Sequence, residues 1–68
     1  MITENSNEKI VIIDSSKKEI NIIENNSINW FLLDEEYNNC LESYLYGECG
    51  VDSNCDWFVT ETLNINFK

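Results

Sequence analysis

The side chains best suited to chemistry in this chain are three cysteines, Cys40, Cys49 and Cys55, and the carboxylates around them. A structural zinc site usually takes four Cys or His ligands, with a cysteine pair two to four residues apart. Here Cys49 and Cys55 are separated by five residues and the chain has no His, so the pattern argues against zinc. Cys40 is interpreted as a small core residue. A Cys49–Cys55 disulfide stays an open alternative, because it depends on whether the protein is exported.

Two groups of carboxylates match functional motifs in part. Residues 52–56, DSNCD, match the opening of a calcium loop, but Trp57 stands where the loop needs Gly and Leu63 where it needs Glu. A solvated turn explains the same residues. Glu35 and Glu36 are suited to general acid and base catalysis, yet helix capping explains both and no basic side chain follows until the last residue. The chain is therefore predicted not to be an enzyme and to hold no metal or cofactor.

The charge is distributed unevenly along the chain. Thirteen acidic residues and four lysines, with no Arg or His, set a formal net charge of −9. Residues 1–18 hold three acids and three lysines, whereas residues 19–67 hold ten acids and no base. A surface of one sign repels nucleic acid and anionic membranes and attracts basic surfaces. The predicted partner is a basic protein, without direct binding of nucleic acid or membrane. The alternative is that the acids only maintain solubility.

Length and composition indicate one small folded domain over residues 1–68, with residues 1–7 as a flexible arm. At 43% hydrophobic content the chain is too apolar for a disordered segment. Its core alone is expected to supply only about 3–5 kcal/mol of stability. The sequence shows no secretory signal and no apolar run long enough to span a membrane. The expected location is the cytoplasm of a host cell, where thiols stay reduced.

Apolar periodicity predicts an α+β fold, in which a small, mostly antiparallel sheet packs against one amphipathic helix in the order β-β-β-α-β. The predicted strands are Glu8–Asp14, Glu19–Glu24, Ser27–Leu33 and Trp57–Lys68. A tight turn at residues 14–18 and a two-residue turn at Asn25-Asn26 would connect the first three strands. The competing interpretation is one long helix from Ser27 to Tyr46, because short apolar runs fit both periods.

The predicted turns determine which strand residues share a face. The first turn places Ile13 opposite Ile20 and Val11 opposite Ile22, and opposed residues lie on the same face. One predicted face carries Val11, Ile13, Ile20, Ile22, Phe31 and Leu33. The other predicted face carries Ile10, Ile12, Ile23, Ile28, Trp30 and Leu32. Both faces are apolar and one short helix covers only one of them. The second face is therefore predicted to be closed by a second copy in a homodimer, by a partner or by the last strand.

The predicted helix presents an apolar stripe and an acidic face. Asp34 is predicted to cap it, with Glu35 and Glu36 in its first turn, and Gly47 is predicted to end it. The predicted buried stripe is Tyr37, Cys40, Leu41, Tyr44 and Leu45. Tyr46 is predicted to be exposed, and tyrosines are enriched in binding hot spots. The predicted partner-binding residues are Asp34, Glu35, Glu36, Asn39, Glu42, Tyr46, Glu48, Asp52 and Asp56.

In size, acidity and composition, with eleven Asn and nine Ile, the chain resembles small phage-encoded anti-defence proteins, such as anti-CRISPR and anti-restriction nucleic-acid mimics. The resemblance lies in general character and not in a shared motif. It implies an inhibitor that binds a basic nucleic-acid-binding surface of a nuclease or effector and blocks its nucleic acid. Two alternatives stay open: an immunity protein or antitoxin that caps a basic toxin, and a small homodimerising structural module.

Overall fold

The computed structural model describes residues 2–68, which form a three-stranded antiparallel sheet and two α-helices. The elements are β1 (Lys9–Asp14), β2 (Glu19–Ile23), a 3-10 turn (Asn25–Ser27), α1 (Trp30–Tyr37), α2 (Leu41–Glu48) and β3 (Cys55–Thr60). The predicted α+β class is confirmed. The predicted order β-β-β-α-β is wrong in two places, because the third predicted strand is helical and the one predicted helix is two.

The hairpin of β1 and β2 has the predicted register. Ile13 pairs with Ile20, and Val11 pairs with Ile22. These four side chains therefore share one face of the sheet, as predicted from the period of two along a strand.

Asp14 organises the turn between β1 and β2. Its Oδ1 accepts hydrogen bonds from the Ser16 hydroxyl at 2.8 Å and from the Lys17 amide at 3.1 Å. These two donors favour the ionised carboxylate, so they lower the pKa of Asp14 below its ordinary value. Lys18 completes the turn with a left-handed backbone, φ 57°.

β3 pairs with the other side of β1, so the strand order is β2-β1-β3 and β1 is central. The pairing runs from Asp14 opposite Cys55 to Lys9 opposite Thr60. β3 ends at Thr60, opposite Lys9, the first residue of β1. Residues 61–68 form no regular secondary structure. The predicted last strand is therefore correct over residues 57–60 and wrong beyond them.

The predicted strand at Ser27–Leu33 is wrong. Asn25–Ser27 form a 3-10 turn, and α1 begins directly after Asn29, whose side chain accepts a hydrogen bond from the Leu32 amide at 3.0 Å. Asn is a preferred N-cap, since its oxygen satisfies an amide that has no partner within the helix. Asp34, the predicted cap, lies one turn inside α1 instead.

The burial pattern of α1 follows the helical period. Leu33 is buried and Trp30 and Tyr37 are half-buried, whereas Phe31 is exposed. Residues 30, 33 and 37 share one side of a helix, but alternation along a strand would separate residue 33 from residue 30. A helix here covers the sheet, and β3 already occupies the free edge of β1.

The helix predicted to run from Asp34 to Gly47 is interrupted at Asn38 and Asn39. Both have left-handed backbone, with φ of 52° and 61°, a conformation that Asn adopts more readily than most residues. The Asn39 amide donates to the carbonyl of Leu33 at 2.9 Å, which closes the end of α1. The alternative of one long helix is wrong for the same reason.

Gly50, and not Gly47, terminates α2. Gly50 has φ 70°, the left-handed conformation in which helices commonly end. The amides of Cys49 and Val51 both donate to the carbonyl of Leu45 at 3.1 Å. The predicted stop at Gly47 is therefore wrong by three residues.

The helices cover the sheet face that carries Ile10 and Ile12, and both Ile10 and Leu45 are fully buried there. The core consists of Ile2, Ile10, Ile12, Ile28, Leu33, Tyr44, Leu45 and Val51. Val11 lies on the opposite sheet face. The predicted division into two apolar faces thus holds for β1 and β2, while Phe31 and Leu33, which were predicted to join the Val11 face, belong to α1.

Residues 2–7, predicted to be part of a flexible arm, lie against the domain. Ile2 is buried in the core. The carbonyl of Thr3 accepts a hydrogen bond from the Asn25 side chain at 2.8 Å. Met1 lies outside the described residues.

Candidate functional site: an acidic helix pair

The candidate site is the pair formed by α1 and α2, here called the acidic helix pair. Its five acidic residues are all exposed, and residues 30–48 contain no Lys or Arg. The acids are Asp34, Glu35, Glu36, Glu42 and Glu48. Because no cation of the chain lies within the pair, its surface carries charge of one sign.

All nine predicted partner-binding residues are exposed, but the fold distributes them over two sides of the sheet. Those on or between the helices are Asp34, Glu35, Glu36, Asn39, Glu42, Tyr46 and Glu48. Asp52 lies in the loop that leads to β3. Asp56 pairs opposite Ile13, which places it on the sheet face that the helices leave open. Asp56 is therefore separated from the helical acids by the sheet.

Glu35 and Glu42, which the sequence places on one helix, lie on different helices because of the break at Asn38 and Asn39. Their separation of seven residues consequently does not correspond to two turns of one helix. The helical acids form a surface across two elements.

Two of the acids are held by neighbouring side chains. The side-chain Nδ2 of Asn39 donates to Asp34 Oδ1 at 2.7 Å, and the Tyr37 hydroxyl donates to Glu48 Oε1 at 3.1 Å. Burial and the Glu48 carboxylate raise the pKa of Tyr37. The Tyr37 ring lies so close to Gly47 that a Cβ there would fall 2.5 Å from its hydroxyl oxygen. Side chains between the helices thus orient Asp34 and Glu48.

The apolar stripe predicted for the helix is buried in part. Tyr44 and Leu45 are buried, and Tyr37 and Leu41 are half-buried. Tyr37 and Tyr44 pack edge to face, with ring centroids 5.7 Å apart, a favourable aromatic geometry. Cys40, predicted to be a core residue, is exposed because it precedes α2 after the break.

The three cysteines are free thiols in the structure. The Ser43 hydroxyl donates to Cys40 Sγ at 3.3 Å, which lowers the pKa of the Cys40 thiol. Burial and the charge of Glu48 raise the pKa of Cys49. No basic residue of the acidic helix pair is available to complete a nucleophilic site around Cys40.

Asp52 forms a turn of the kind that Asp commonly makes with its own backbone. Its Oδ1 accepts a hydrogen bond from the Asn54 amide at 2.8 Å, and its carbonyl accepts one from the Cys55 amide at 3.0 Å. These contacts give the Asp52 side chain a role in the turn. Within residues 2–68, no three Cys, Asp or Glu side chains are placed to hold a metal ion.

Exposed aromatic residues border the acids. Tyr46 is 46% exposed, in agreement with its predicted exposure, and Phe31 is 75% exposed. Phe31 and Asp34 are three residues apart, so they are neighbours on α1. Together with Trp30 and Leu41 they line an open groove of about 590 Å³ between α1 and the N-terminal residues. Sequence reasoning missed Phe31 because it assigned residue 31 to a strand. The spacing of Phe31 and Asp34 becomes informative only on a helix.

A second exposed surface, here called the open sheet face, lies on the side of the sheet away from the helices. It consists of Val11, Ile13, Ile20, Ile22 and Phe58. Val11 is buried at its centre, and the other four side chains are 37–60% exposed. Lys9 and Asp56 are the charged residues of the strands on this face, one of each sign.

No helix in residues 2–68 is both long and apolar enough to cross a membrane. No protein-family model, no curated protein and no solved structure matches the chain.

Proposed function

We propose that this protein is a small acidic inhibitor that binds the basic nucleic-acid-binding surface of another protein and blocks its nucleic acid by charge mimicry. This is the mode of action implied by its resemblance to anti-CRISPR and anti-restriction proteins. The protein acts by binding and not by catalysis. The expected place of action is the cytoplasm of the host cell.

The observation that carries the proposal is the acidic helix pair, with five exposed acids and no base over residues 30–48. Lys and Arg groups that neutralise the phosphates of a nucleic acid are also attracted by carboxylates that are spread over a protein surface. The hydrogen bonds from Asn39 to Asp34 and from Tyr37 to Glu48 support the proposal, because they hold two acids in place before binding. Pre-ordered groups lose less entropy when a complex forms.

An immunity protein that caps a basic toxin has the same electrostatic requirement, so the identity of the partner separates the two functions. The test is affinity capture from host extract, with the captured protein then assayed for nucleic-acid binding. A nuclease or effector that loses its nucleic acid when the inhibitor binds supports the proposal. A toxin whose active site binds no nucleic acid contradicts it.

Charge reversal tests whether the acidic helix pair makes the contact. The variant Glu35→Lys/Glu42→Lys should lose the partner. The matched control Glu24→Lys/Glu61→Lys changes the net charge equally at exposed positions outside the helix pair and should retain it. Equal loss in both variants would mean that only net charge matters, and retention in both would exclude this surface.

Salt provides an independent measurement. Because screening weakens exposed charge pairs, affinity should fall by at least about tenfold between low and high salt for a contact of this kind. Isothermal titration or surface plasmon resonance with the purified partner measures the change. An affinity that does not depend on salt would show that apolar contacts dominate and would contradict charge mimicry.

A further inference from the structure

We infer that the open sheet face binds the same face of a second copy of the chain, so that the protein forms a two-fold sandwich with the acidic helix pairs on its two outer sides. The inference rests on the sheet and does not depend on the proposed function. Its failure would leave the acidic inhibitor intact as a monomer.

The apolar content of this face is the first argument. Ile13, Ile20, Ile22 and Phe58 surround the buried Val11 and are 37%, 60%, 41% and 43% exposed. Four neighbouring large apolar side chains on one sheet face form a contiguous patch, and exposed apolar patches mark interaction sites. Two twisted sheets pack well through faces of this kind, with side chains interdigitating about 10 Å apart.

Charge selects a second copy as the occupant. The strands carry one Lys and one Asp on the open sheet face and no excess of either sign, so this face attracts neither a basic nor an acidic partner by net charge. Lys9 and Asp56 lie toward opposite ends of the sheet, since Lys9 pairs with Thr60 and Asp56 pairs with Ile13. Lys9 also donates to the carbonyl of Glu61 at 3.0 Å, which uses one of its three donors.

A two-fold axis that lies in the plane between the two sheets and runs perpendicular to the strands makes this charge pattern self-complementary. The axis reverses the strand direction, so the Lys9 end of one sheet lies over the Asp56 end of the other. The alternative axis, in the plane between the sheets and parallel to the strands, would place Lys9 of the central β1 against Lys9 of the other copy. The charge pattern therefore favours the antiparallel sandwich.

The net charge of −9 does not prevent this association. With sheets about 10 Å apart and a helix layer about 10 Å thick on each outer side, the acidic surfaces lie roughly 30 Å apart. The Debye length is about 8 Å at physiological ionic strength, so their repulsion is largely screened.

The size of the face limits the affinity. Strands of five or six residues span about 20 Å, and three of them span about 14 Å in width. This area is smaller than the roughly 800 Å² that each partner buries in a standard interface. An interface of this size belongs with weak, transient contacts, so we expect the dimer to form only at high protein concentration.

Sedimentation equilibrium at protein concentrations up to about 1 mM tests the inference, because a weak, transient contact is populated only at high concentration. The weight-average mass should rise from 8.0 kDa toward twice that value. The variant Ile20→Glu should stay at the monomer mass at every concentration. Ile65→Glu introduces the same change at a similarly exposed Ile outside the sheet, and it should dimerise as the wild type does. Circular dichroism checks that both variants are folded.

Charge exchange tests the orientation. Lys9→Glu and Asp56→Lys should each weaken the dimer about two- to fivefold, as expected for exposed ion pairs, and the double variant should restore it. A wild type that stays at 8.0 kDa throughout overturns the inference. Loss of dimerisation in Ile65→Glu but not in Ile20→Glu overturns it equally, and so does growth beyond twice the monomer mass without a plateau.

Discussion

The two faces of the sheet differ in what covers them and in what they expose. One face packs against α1 and α2, which bury Ile10, Ile12 and Leu45 and turn their acids toward solvent. The other face leaves Ile20 and its neighbours open and carries little charge. The same β1 strand contributes to both. The comparison teaches that this small chain separates its charge from its exposed apolar surface, so that each side can have its own partner.

The largest expected effect distinguishes the covered face from the open one. Leu45→Ala removes a fully buried side chain and should destabilise the protein by about 2–5 kcal/mol. Because a core of this size supplies only about 3–5 kcal/mol, the variant should be largely unfolded at 25 °C. Urea unfolding followed by tryptophan fluorescence measures the loss.

Ile20→Thr is the matched variant on the open sheet face. It keeps a β-branched residue in the strand, and it should change the free energy of unfolding by less than about 0.5 kcal/mol at low protein concentration. Equal losses in the two variants would mean that the open face contributes to the fold as much as the core does. That result would contradict the conclusion that the covered face, and not the open one, stabilises the fold.

A smaller effect is expected where the covering helices begin. Asn29→Ala removes the side chain that accepts the Leu32 amide and should cost about 1 kcal/mol. Asp34→Ala removes the predicted cap, which lies inside α1, and should cost less than about 0.5 kcal/mol at this exposed position. Thermal and urea unfolding of both variants rank the two residues. A larger loss for Asp34 than for Asn29 would contradict the observed start of α1.

The smallest effect concerns the turn of the β1–β2 hairpin. There the Asp14 carboxylate accepts a hydrogen bond from a nearby backbone amide, as the Asn29 side chain does at the start of α1. Hydrogen bonds from Ser16 and Lys17 lower the pKa of Asp14 in the folded protein. The stability that Asp14 contributes is therefore present above pH 3.8, its ordinary pKa, and is lost as pH falls through the lowered value.

The difference between wild type and Asp14→Asn in urea midpoint should shrink as the pH is lowered from 5 toward 2. Since Asn29 is neutral, the effect of Asn29→Ala should not change over the same range. A constant difference for Asp14→Asn would show that the turn does not depend on the ionised carboxylate.

The β1–β2 hairpin could be predicted from the sequence because its information is local. The Asp14 turn and the β-branched residues on either side of it determine the register of Ile13 with Ile20. The exposure of Tyr46 could also be predicted, since its position relative to Tyr44 and Leu45 is the same in a long helix and in α2. These features do not depend on what the rest of the chain does.

The segment from Ser27 to Leu33 could not be predicted in the same way. Its apolar residues fit a strand and a helix, since short runs satisfy both periods. Asn29, Asn38 and Asn39 are the local signals of the helix boundaries, because Asn favours both the N-cap position and left-handed backbone. The burial of Ile2 had no such signal, because it depends on contacts with residues far along the chain.

The sequence by itself determined the charge of the molecule, the first hairpin and the apolar character of both sides of its strands. Tertiary structure decided which strand pairs with the second edge of β1, and that pairing settled the rest. Because β3 pairs with the second edge of β1, that edge is not available to Ser27–Leu33. The same pairing places Asp56 on the open sheet face, away from the acids of the helices. The physical reason is that hydrogen bonding between distant strands and burial of shared apolar surface are properties of the whole chain. Local preference offers several arrangements, and only packing selects among them.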